Sequence, residues 1–177
     1  SAPGRTDVSD CFCTQIPAGR RCHVQAGTDD KFRKGKVIGM ISQTLREARK
    51  YEEASAKRIR REERPAFHLS SRTGWMNDPN GFSYYKGKYH MFYQYHPFDS
   101  HWGPMHWGHA VSSDLLHWDF LPAALAPDEF YDRDGCFSGS AAELDDGRQL
   151  LMYTGVLKER QRNGGFCEVQ TQCLAIG

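Results

Sequence analysis

The chain has 177 residues, enough for one ordinary domain, and its formal net charge of +1 excludes nucleic-acid binding driven by overall charge. No run of about eighteen apolar residues occurs, which excludes a membrane-spanning helix. The first residues lack the apolar core of a secretory signal peptide, so the sequence predicts no export signal. The chain does not begin with Met, and processing or truncation at the front stays open.

Six cysteines occur at irregular spacing along the chain. An even number is compatible with disulfides, but the spacing and the missing export signal favour free thiols in a reducing compartment. The residues around Cys11 and Cys22 lack the paired spacing of a zinc site, so we expect no metal there. The sequence thus predicts a cytoplasmic location, no cofactor and no membrane partner. The cysteines are Cys11, Cys13, Cys22, Cys136, Cys167 and Cys173.

The front of the chain, residues 1–35, is rich in Gly, Arg, Asp, Ser and Thr and has few large apolar residues. Such a segment buries too little surface to offset its chain entropy, so the sequence predicts that residues 1–35 are disordered. In residues 36–64, apolar side chains recur at three- and four-residue steps between charged ones. This pattern predicts an amphipathic helix over 36–64 that ends at Arg64-Pro65, because proline disfavours a helical residue before it.

A basic cluster at residues 57–61 lies near the end of the predicted helix. It is compatible with binding to nucleic acid or to an anionic membrane, which a measurement at low and high salt tests. Because Glu62 and Glu63 interrupt the positive charge, a solvated helix face is the favoured interpretation, with no nucleic-acid partner. The apolar stripe of the helix needs a surface, and we expect it to pack on the domain that follows.

From residue 65 onward the pattern is that of short strands separated by turns, without a helical period. Lys86-Gly87 and Asp146-Gly147 each lie between two apolar segments and predict hairpins. The sequence therefore predicts a mainly β fold, either a sandwich, a barrel or a propeller. A propeller blade takes roughly 40–50 residues, so residues 65–177 would hold about two blades. The predicted strands are 82–85, 88–95, 106–113, 116–121, 136–144, 149–154 and 166–175.

Residues 75–81, Trp-Met-Asn-Asp-Pro-Asn-Gly, combine a carboxylate, two amides and an aromatic ring. Pro79 favours an extended backbone at Asp78, and Asn80-Gly81 tolerates positive φ, which predicts a tight turn at the end of the segment. The carboxylate would then lie on a short, stiff rim beside an aromatic wall. Taken alone, Asp-Pro-Asn-Gly reads more simply as a surface turn, so the rest of the chain must decide.

Three further clusters, at residues 92–97, 101–109 and 137–140, also combine aromatic with polar side chains. Aromatic rings pack on the C–H faces of sugars while amides and carboxylates bind sugar hydroxyls, so this composition indicates a sugar site. Trp102 lies in a Gly-Pro loop, which favours a position in a cleft. For Trp107 and Trp118 the favoured interpretation is ordinary core packing.

Three histidines in one of these clusters invite a metal site. Steps of five and three residues separate His101, His106 and His109, and residues on one face of a strand are an even number apart. A zinc site needs three or four converging ligands with supporting contacts, and the sequence shows no such set. We therefore expect no metal.

Hydrolysis of a glycoside with retention needs two carboxyl groups roughly 5–5.5 Å apart, one nucleophile and one acid/base. Asp78 is the natural nucleophile, because polar neighbours such as Asn77 keep its carboxylate ionised. The acid/base has no clear candidate, since each other carboxyl is more simply a turn or solvent-facing residue. These carboxyls belong to Asp114, Asp119, Asp128, Glu129, Asp132, Asp134, Glu143 and Glu168.

The motifs and their order resemble glycoside hydrolase family 32, the invertases (β-fructofuranosidases) and bacterial sucrose-6-phosphate hydrolases. One such motif would be weak support, but several in order over residues 65–177 are specific. Residues 1–35 match nothing in the family, whereas the predicted helix resembles the leader helix of bacterial, intracellular members. The motifs lie at residues 75–81, 92–95, 102–110, 112–118, 137–140 and 170–175.

The resemblance implies a five-bladed β-propeller with a funnel-shaped active site, followed by a β-sandwich. It implies that Asp78 attacks the anomeric carbon of a fructosyl unit and forms a covalent fructosyl-enzyme. Water then releases fructose from this intermediate. The implied partner is a small sugar, namely sucrose, sucrose-6-phosphate or a short fructan. The positions implied to bind it are Trp75, Asn77, Gln94, Trp102, Phe137 and Ser138.

Two family motifs are absent from the chain. One is an Arg-Asp-Pro segment whose Asp grips fructose hydroxyls, and the other is a Glu-Cys segment whose Glu is the acid/base. Cys167-Glu168 has these residues in reverse order and in another place. We therefore expect an N-terminal fragment whose acid/base lies beyond Gly177. We expect it to be inactive alone, because lost proton transfer removes a factor of roughly 10²–10⁴.

Two alternatives to a hydrolase stay open. A non-catalytic fructan- or sucrose-binding module would keep the ring-and-amide pocket and need no acid. A fructosyltransferase would share the chemistry and differ in the acceptor. The sequence decides neither between sucrose and sucrose-6-phosphate nor the oligomeric state.

Overall fold

The computed structural model describes residues 10–14, 41–162 and 164–177. These residues form a mainly β fold, as predicted, with two four-stranded antiparallel sheets. Sheet I has the order β2-β3-β4-β5, and sheet II has the order β1-β8-β7-β6. The elements are β1 (Asp10–Thr14), α1 (Gln43–Ala56), a 3₁₀ turn (Arg61–Glu63), β2 (Trp75–Tyr85), β3 (Lys88–His96), β4 (His106–Ser112), β5 (Asp119–Leu125), β6 (Gly135–Glu143), β7 (Gln149–Arg160) and β8 (Phe166–Ile176).

Local turn chemistry forms the two predicted hairpins. Lys86 and Gly87 both have positive φ, 46° and 79°, which is the requirement of a two-residue turn between twisted strands. Gly147, with φ 78°, closes the turn between β6 and β7. Both hairpin predictions are confirmed, and the strand predicted over 166–175 is β8.

The main core lies between the two sheets, where β2 packs against β6. Alternate residues of β3 face opposite sides, so Phe92 points into this core while Tyr93 and Tyr95 point to the other face of sheet I. Trp107 is fully buried, which confirms the prediction of core packing. The buried side chains of this core are Phe92, Trp107, Ala124, Leu125, Tyr131, Cys136, Leu151, Tyr153, Cys173 and Ala175.

Helix α1 covers the outer face of sheet I, in line with its predicted amphipathic pattern. The hydroxyl of Ser42 accepts a hydrogen bond from the Leu45 N–H at 3.0 Å and caps the helix start. Leu45 packs with Tyr93, Tyr95 and Ala123 of the sheet. Within the described residues, no helix is long and apolar enough to cross a membrane.

A buried carboxylate ties α1 to sheet I. Glu52, almost fully buried, accepts a hydrogen bond from the Ala123 N–H at 3.0 Å and lies 3.5 Å from Arg72 Nη1. Arg49 donates through Nε to the Ala123 carbonyl at 2.9 Å. Burial raises the pKa of Glu52, and the Ala123 N–H and the Arg72 charge oppose that rise.

The helix is shorter than the sequence predicts. It ends at Ala56 instead of Arg64, and residues 36–40 lie outside the described residues. Its last buried residue is Glu52, and the helix closes where the Arg58 and Ile59 N–H groups donate to the Ser55 and Ala56 carbonyls at 3.0 and 3.2 Å, bonds that tighten the last turn. The Arg64 guanidinium instead donates to the Ser71 and Arg72 carbonyls at 2.9 and 2.6 Å and shapes the approach to β2.

One part of the segment predicted to be disordered forms a strand. Residues 10–14 are β1, which pairs antiparallel with β8 along the outer edge of sheet II. An exposed strand edge offers unpaired N–H and C=O groups, and their pairing with β1 supplies the stabilisation that the composition of residues 1–35 lacks. The other residues of 1–35, and the side chains of β1, lie outside the described part of the chain.

Candidate functional site

The residues predicted to form a site lie at one end of the two sheets. Trp75, Asn77 and Asp78 lie at the start of β2, and Gln94 lies near the end of β3, its neighbour. The start of β6 reaches the same place, since the Trp107 indole N–H donates to the Phe137 carbonyl at 3.1 Å. The remaining two residues are Trp102, in the loop between β3 and β4, and Ser138, in β6.

Asp78 lies in a β-bulge. Met76 pairs with Tyr95 and Pro79 pairs with Tyr93, so two residues of β2, Asn77 and Asp78, stand opposite Gln94 alone. Bulges redirect side chains and are frequent next to active sites. Asp78 is exposed, and because β2 is an edge strand it tolerates the missing N–H of Pro79.

The prediction of a tight turn at Asn80-Gly81 is wrong. Strand β2 continues through both residues to Tyr85, and the positive φ of Gly81, 50°, accommodates a second bulge between Asn80 and Ser83. The glycine is also needed for space, because a Cβ there would lie 2.9 Å from Phe92 Cδ2. The backbone freedom at Gly81 was predicted correctly, but its use in a bulge was not, because that use depends on the packing of β2 against the core.

Two half-buried residues, Trp75 and Asn77, precede the exposed Asp78 in β2. The Trp75 indole N–H donates to Asn77 Oδ1 at 2.9 Å. This bond fixes the orientation of the Asn77 amide and leaves its NH₂ group as the end that donates to a ligand. The pair therefore presents a donor and a ring edge beside Asp78.

Gln94 connects the two sheets. It is only 3% exposed, and its Nε2 donates to the Cys136 carbonyl at 3.0 Å. Cys136 is also held from its other side, because its N–H donates to the Met105 carbonyl at 2.8 Å. Gln94 therefore sets the position of the strand that carries Phe137 and Ser138.

Trp102 and Phe137 form an aromatic wall. Their rings meet edge to face, with centroids 6.2 Å apart at 78°, and Trp102 is 51% exposed. Lys158 Nζ lies 5.9 Å from the centroid of the Trp102 ring. Ser138 is exposed at a bulge in β6, because Phe137 pairs with Thr154 and Gly139 with Tyr153.

Two polar residues, Asn80 and Asp132, are buried, although the sequence predicts Asn80 in a tight turn and Asp132 as a turn or solvent-facing residue. Asn80 Oδ1 accepts a hydrogen bond from the Gly139 N–H at 3.4 Å, and Asn80 Nδ2 is buried without a hydrogen-bond partner. Asp132, fully buried, accepts from the Tyr153 hydroxyl at 2.7 Å and from the Glu129 N–H at 2.8 Å. The burial of both residues depends on strands distant in sequence, so no local pattern shows it.

Asp132 has the pKa expected of a general acid but not the position. Burial raises the pKa of Asp132 to about 6, against the opposing hydrogen bonds from Tyr153 and Glu129. Because it is fully buried behind Cys136, its carboxyl cannot contact a bound sugar. The role of Asp132 is structural, because it lies next to β6, the strand that carries Phe137.

The histidines of residues 101–109 do not converge. His106 hydrogen-bonds through Nδ1 to the Pro104 carbonyl at 2.9 Å, and His109 stacks on Phe92 with centroids 4.1 Å apart. Burial lowers the pKa of His106 to about 4 and that of His109 to about 3, so both are neutral at pH 7. His101 is exposed and bonds to Asp99. Among the described residues, no three His, Cys, Asp or Glu side chains are placed to hold a metal ion.

Comparison with known proteins identifies the relatives of this arrangement. The model of the glycosyl hydrolases family 32 N-terminal domain matches residues 68–177. A sucrose-6-phosphate hydrolase of Zymomonas mobilis is 53% identical over 113 residues, 63% of this chain and 22% of that protein. A raffinose invertase of Escherichia coli is 54% identical over 111 residues, 63% of this chain and 23% of that protein.

A solved structure shares the fold. A Bombyx mori GH32 β-fructofuranosidase mutant, in complex with sucrose, has a TM-score of 0.67 and 44% identity, over 78% of this chain and 28% of that chain. The sucrose-6-phosphate hydrolase from Lactobacillus gasseri has a TM-score of 0.54 and 37% identity, over 76% and 26%. The chain spans less than a quarter of the length of the Zymomonas and Escherichia relatives.

Proposed function

Because this chain belongs to glycoside hydrolase family 32, we propose that it carries the nucleophile half of a retaining β-fructofuranosidase site. The single observation that supports this most is the bulge in β2, which presents Asp78 and Asn77 together opposite Gln94. The proposed substrates are sucrose or sucrose-6-phosphate, in line with the Zymomonas relative, a sucrose-6-phosphate hydrolase, and with the Bombyx enzyme, whose structure contains sucrose.

The chemistry follows from the exposed carboxylate. An Asp78 oxygen attacks the anomeric carbon of the fructosyl unit, and the bond to the leaving sugar breaks as that sugar's oxygen takes a proton from an acid. Water then hydrolyses the fructosyl ester and releases fructose. The Asn77 amide donates to the sugar, while the Trp102 and Phe137 rings pack on the C–H faces of the sugar.

The reaction also needs an acid, and no residue of this chain matches the family pattern for that acid. Cys167-Glu168 has the motif residues in reverse, and Asp132 is buried away from solvent. We therefore propose that the 177 residues bind sugar without turnover. Residues 65–177 would form about two blades of a five-bladed propeller, one in each sheet, with β1 adding the edge strand of sheet II. The cytoplasmic location stays a prediction.

Sugar binding is tested by NMR titration, which detects weak complexes. Sucrose should shift the indole N–H signals of Trp75 and Trp102, while that of Trp118, which donates to the Leu115 carbonyl between β4 and β5, serves as the internal control. Trp102→Ala should weaken binding, and Asp78→Asn should retain the fold. If sucrose shifts neither the Trp75 nor the Trp102 signal, the proposal is wrong.

Turnover is tested separately. We expect the 177-residue chain to release no glucose from sucrose. Glucose release that Asp78→Ala abolishes would overturn the expected inactivity and support the nucleophile, whereas release that Asp78→Ala leaves unchanged would remove Asp78 from the mechanism. Transfer of fructose to a second sugar in place of water would identify a fructosyltransferase.

A further inference from the structure

We propose that Asn80 is a positioning residue for Asp78, because its side chain fixes the β2 bulge that carries Asp78 relative to the β6 bulge that carries Ser138. The inference rests on the proposed function, since it concerns the geometry of the same nucleophile. Asn80 is 3% exposed, so it acts on the backbone of the site and not on a bound sugar.

The ladder between β2 and β3 is interrupted on both sides of Asn80. The first bulge ends at Pro79 and the second begins at Asn80, so the paired segment between the bulges consists of these two residues. Pro79 has no N–H to donate to the ladder. The backbone that follows Asp78 is therefore held weakly by its own sheet and depends on another contact for its position.

The side chain of Asn80 supplies that contact. Its Oδ1 accepts a hydrogen bond from the Gly139 N–H of β6 at 3.4 Å. Strands β2 and β6 belong to different sheets of the described fold, so side-chain contacts and not a backbone ladder set their spacing. Gly139 directly follows Ser138, and Asn80 lies two residues after Asp78. The bond therefore runs from one bulge to the other.

Gly139 is a rigid anchor for this bond. Its backbone lies so close to β7 that a Cβ there would be 1.9 Å from the Met152 carbonyl oxygen. The Phe137 carbonyl, two residues earlier in β6, accepts the Trp107 indole N–H at 3.1 Å. Because β6 is held at both of these contacts, the bond to Asn80 transmits the position of β6 to the bulge in β2.

The hydrogen bonds at Asn80 favour a positioning role over a stabilising one. Its Nδ2 is buried without a hydrogen-bond partner among the described residues. An unpaired buried donor is unfavourable, and this offsets what the bond to Gly139 contributes to stability. A leucine of similar shape would lose that bond and also remove the unpaired donor. We therefore expect Asn80 to affect the geometry of the site more than the free energy of unfolding.

The test measures how fast β-fructofuranosyl fluoride labels Asp78 in the 177-residue chain. An Asp78 oxygen forms the bond to the anomeric carbon as the C–F bond breaks and fluoride leaves, so no acid is needed. Intact-mass spectrometry follows the fructosyl ester in wild type, Asn80→Leu, Asn80→Asp and Gln149→Leu. Varying the concentration of this substrate separates the rate constant at saturation from the concentration that gives half of that rate.

Gln149→Leu is the matched control. The Gln149 amide donates to Ser83 Oγ at 3.1 Å and is 6% exposed, so it also joins β2 to sheet II through one buried side chain. Its contact lies beyond the second bulge of β2, away from Asp78. Urea unfolding establishes that each variant is folded under the conditions of labelling.

We expect Asn80→Leu to lower the rate constant at saturation roughly tenfold to hundredfold, because a displacement of about 1 Å at the reacting group has an effect of that size. Gln149→Leu should label at the wild-type rate. Asn80→Asp should regain most of the rate at about pH 5, because burial keeps the introduced carboxyl neutral and its carbonyl oxygen still accepts from Gly139.

Equal rate constants in wild type and Asn80→Leu would overturn the positioning role and leave the proposed function standing. The positioning role also falls if Gln149→Leu slows labelling as much, if Asn80→Asp regains nothing, or if Asn80→Leu changes only the concentration for half of the maximal rate. A wild-type chain that is not labelled at Asp78 would overturn the proposed function and the inference with it. If Asn80→Leu does not fold, Asn80→Ser takes its place, because a serine hydroxyl is too short to reach Gly139.

Discussion

The Gln94 side-chain amide donates to the Cys136 carbonyl at 3.0 Å and joins sheet I to β6 of sheet II. Gln94 stands opposite the bulge that carries Asp78, and Cys136 precedes Phe137 in β6. One hydrogen bond thus relates the candidate nucleophile to the aromatic wall. The spacing of the pocket depends on it, because the two sides of the pocket belong to different sheets.

Replacing Gln94 by Leu should weaken both the fold and the pocket. Leu has a similar volume but no donor, so the buried Cys136 carbonyl loses this hydrogen bond, at about 1–3 kcal/mol in the free energy of unfolding. Urea unfolding measures the loss, and the sucrose titration measures the pocket. Gln161→Leu, at an exposed position after β7, is the control and should change stability by less than about 0.5 kcal/mol. Equal stability of the two variants would contradict a joining role.

Adjacent glutamates in α1 should differ sharply in their effect. Glu52→Ala leaves Arg72 and the Ala123 N–H without their buried carboxylate and should cost about 3–5 kcal/mol. Glu53→Ala removes only an exposed pair with Lys57, 3.7 Å apart, and should cost less than about 1 kcal/mol. Thermal or urea unfolding compares them. Similar losses would show that α1 is not anchored through Glu52.

Asp132 should make stability depend on pH between about 4 and 6. Its pKa is raised from 3.8 to about 6 in the folded chain, so the folded state holds the proton more tightly than the unfolded state. This contribution is fully present below the unfolded value and is lost as pH rises through about 6. With about 1.4 kcal/mol per pKa unit, the loss is about 3 kcal/mol.

The measurement compares urea unfolding of wild type and Asp132→Asn from pH 4 to 7. The difference in stability should shift in favour of the Asn variant as pH rises. Tyr153→Phe is a companion variant, because removing the hydroxyl that donates to Asp132 at 2.7 Å should move the midpoint to higher pH. If the free energies of unfolding of wild type and Asp132→Asn change in parallel with pH, the raised pKa of the buried Asp132 carboxyl is contradicted.

The sequence predicted those features that depend on neighbouring residues. Both hairpins follow from turn chemistry at Lys86-Gly87 and Asp146-Gly147, and the core position of Trp107 follows from its place in an apolar strand. The candidate site residues could be selected from the sequence because their types and spacing match the pattern of a family. Their roles are proposals.

Other features depend on partners distant in the chain. The bulges at Asp78 and Ser138 arise from strand register, which no local pattern sets. The burial of Glu52 requires Arg72 and Ala123, and that of Asp132 requires Tyr153. The early end of α1 at Ala56 was also not predicted, because the helical pattern of the sequence itself continues beyond it.

The central claim is that Asp78 is the nucleophile. A substrate whose leaving group needs no proton tests this claim in a chain that has no acid/base residue. Fluoride leaves a fructosyl unit without needing a proton from an acid, so β-fructofuranosyl fluoride should react with Asp78 even in the 177-residue chain. Without an acid/base group to activate water, the fructosyl ester should persist long enough to be measured.

Intact-mass spectrometry after incubation with this fluoride is the decisive measurement. We predict a mass increase of one fructosyl residue, located by peptide mapping at Asp78 and absent from Asp78→Asn. A chain that gains no mass, or that gains it at another residue or equally in Asp78→Asn, would contradict the assignment of Asp78 as the nucleophile.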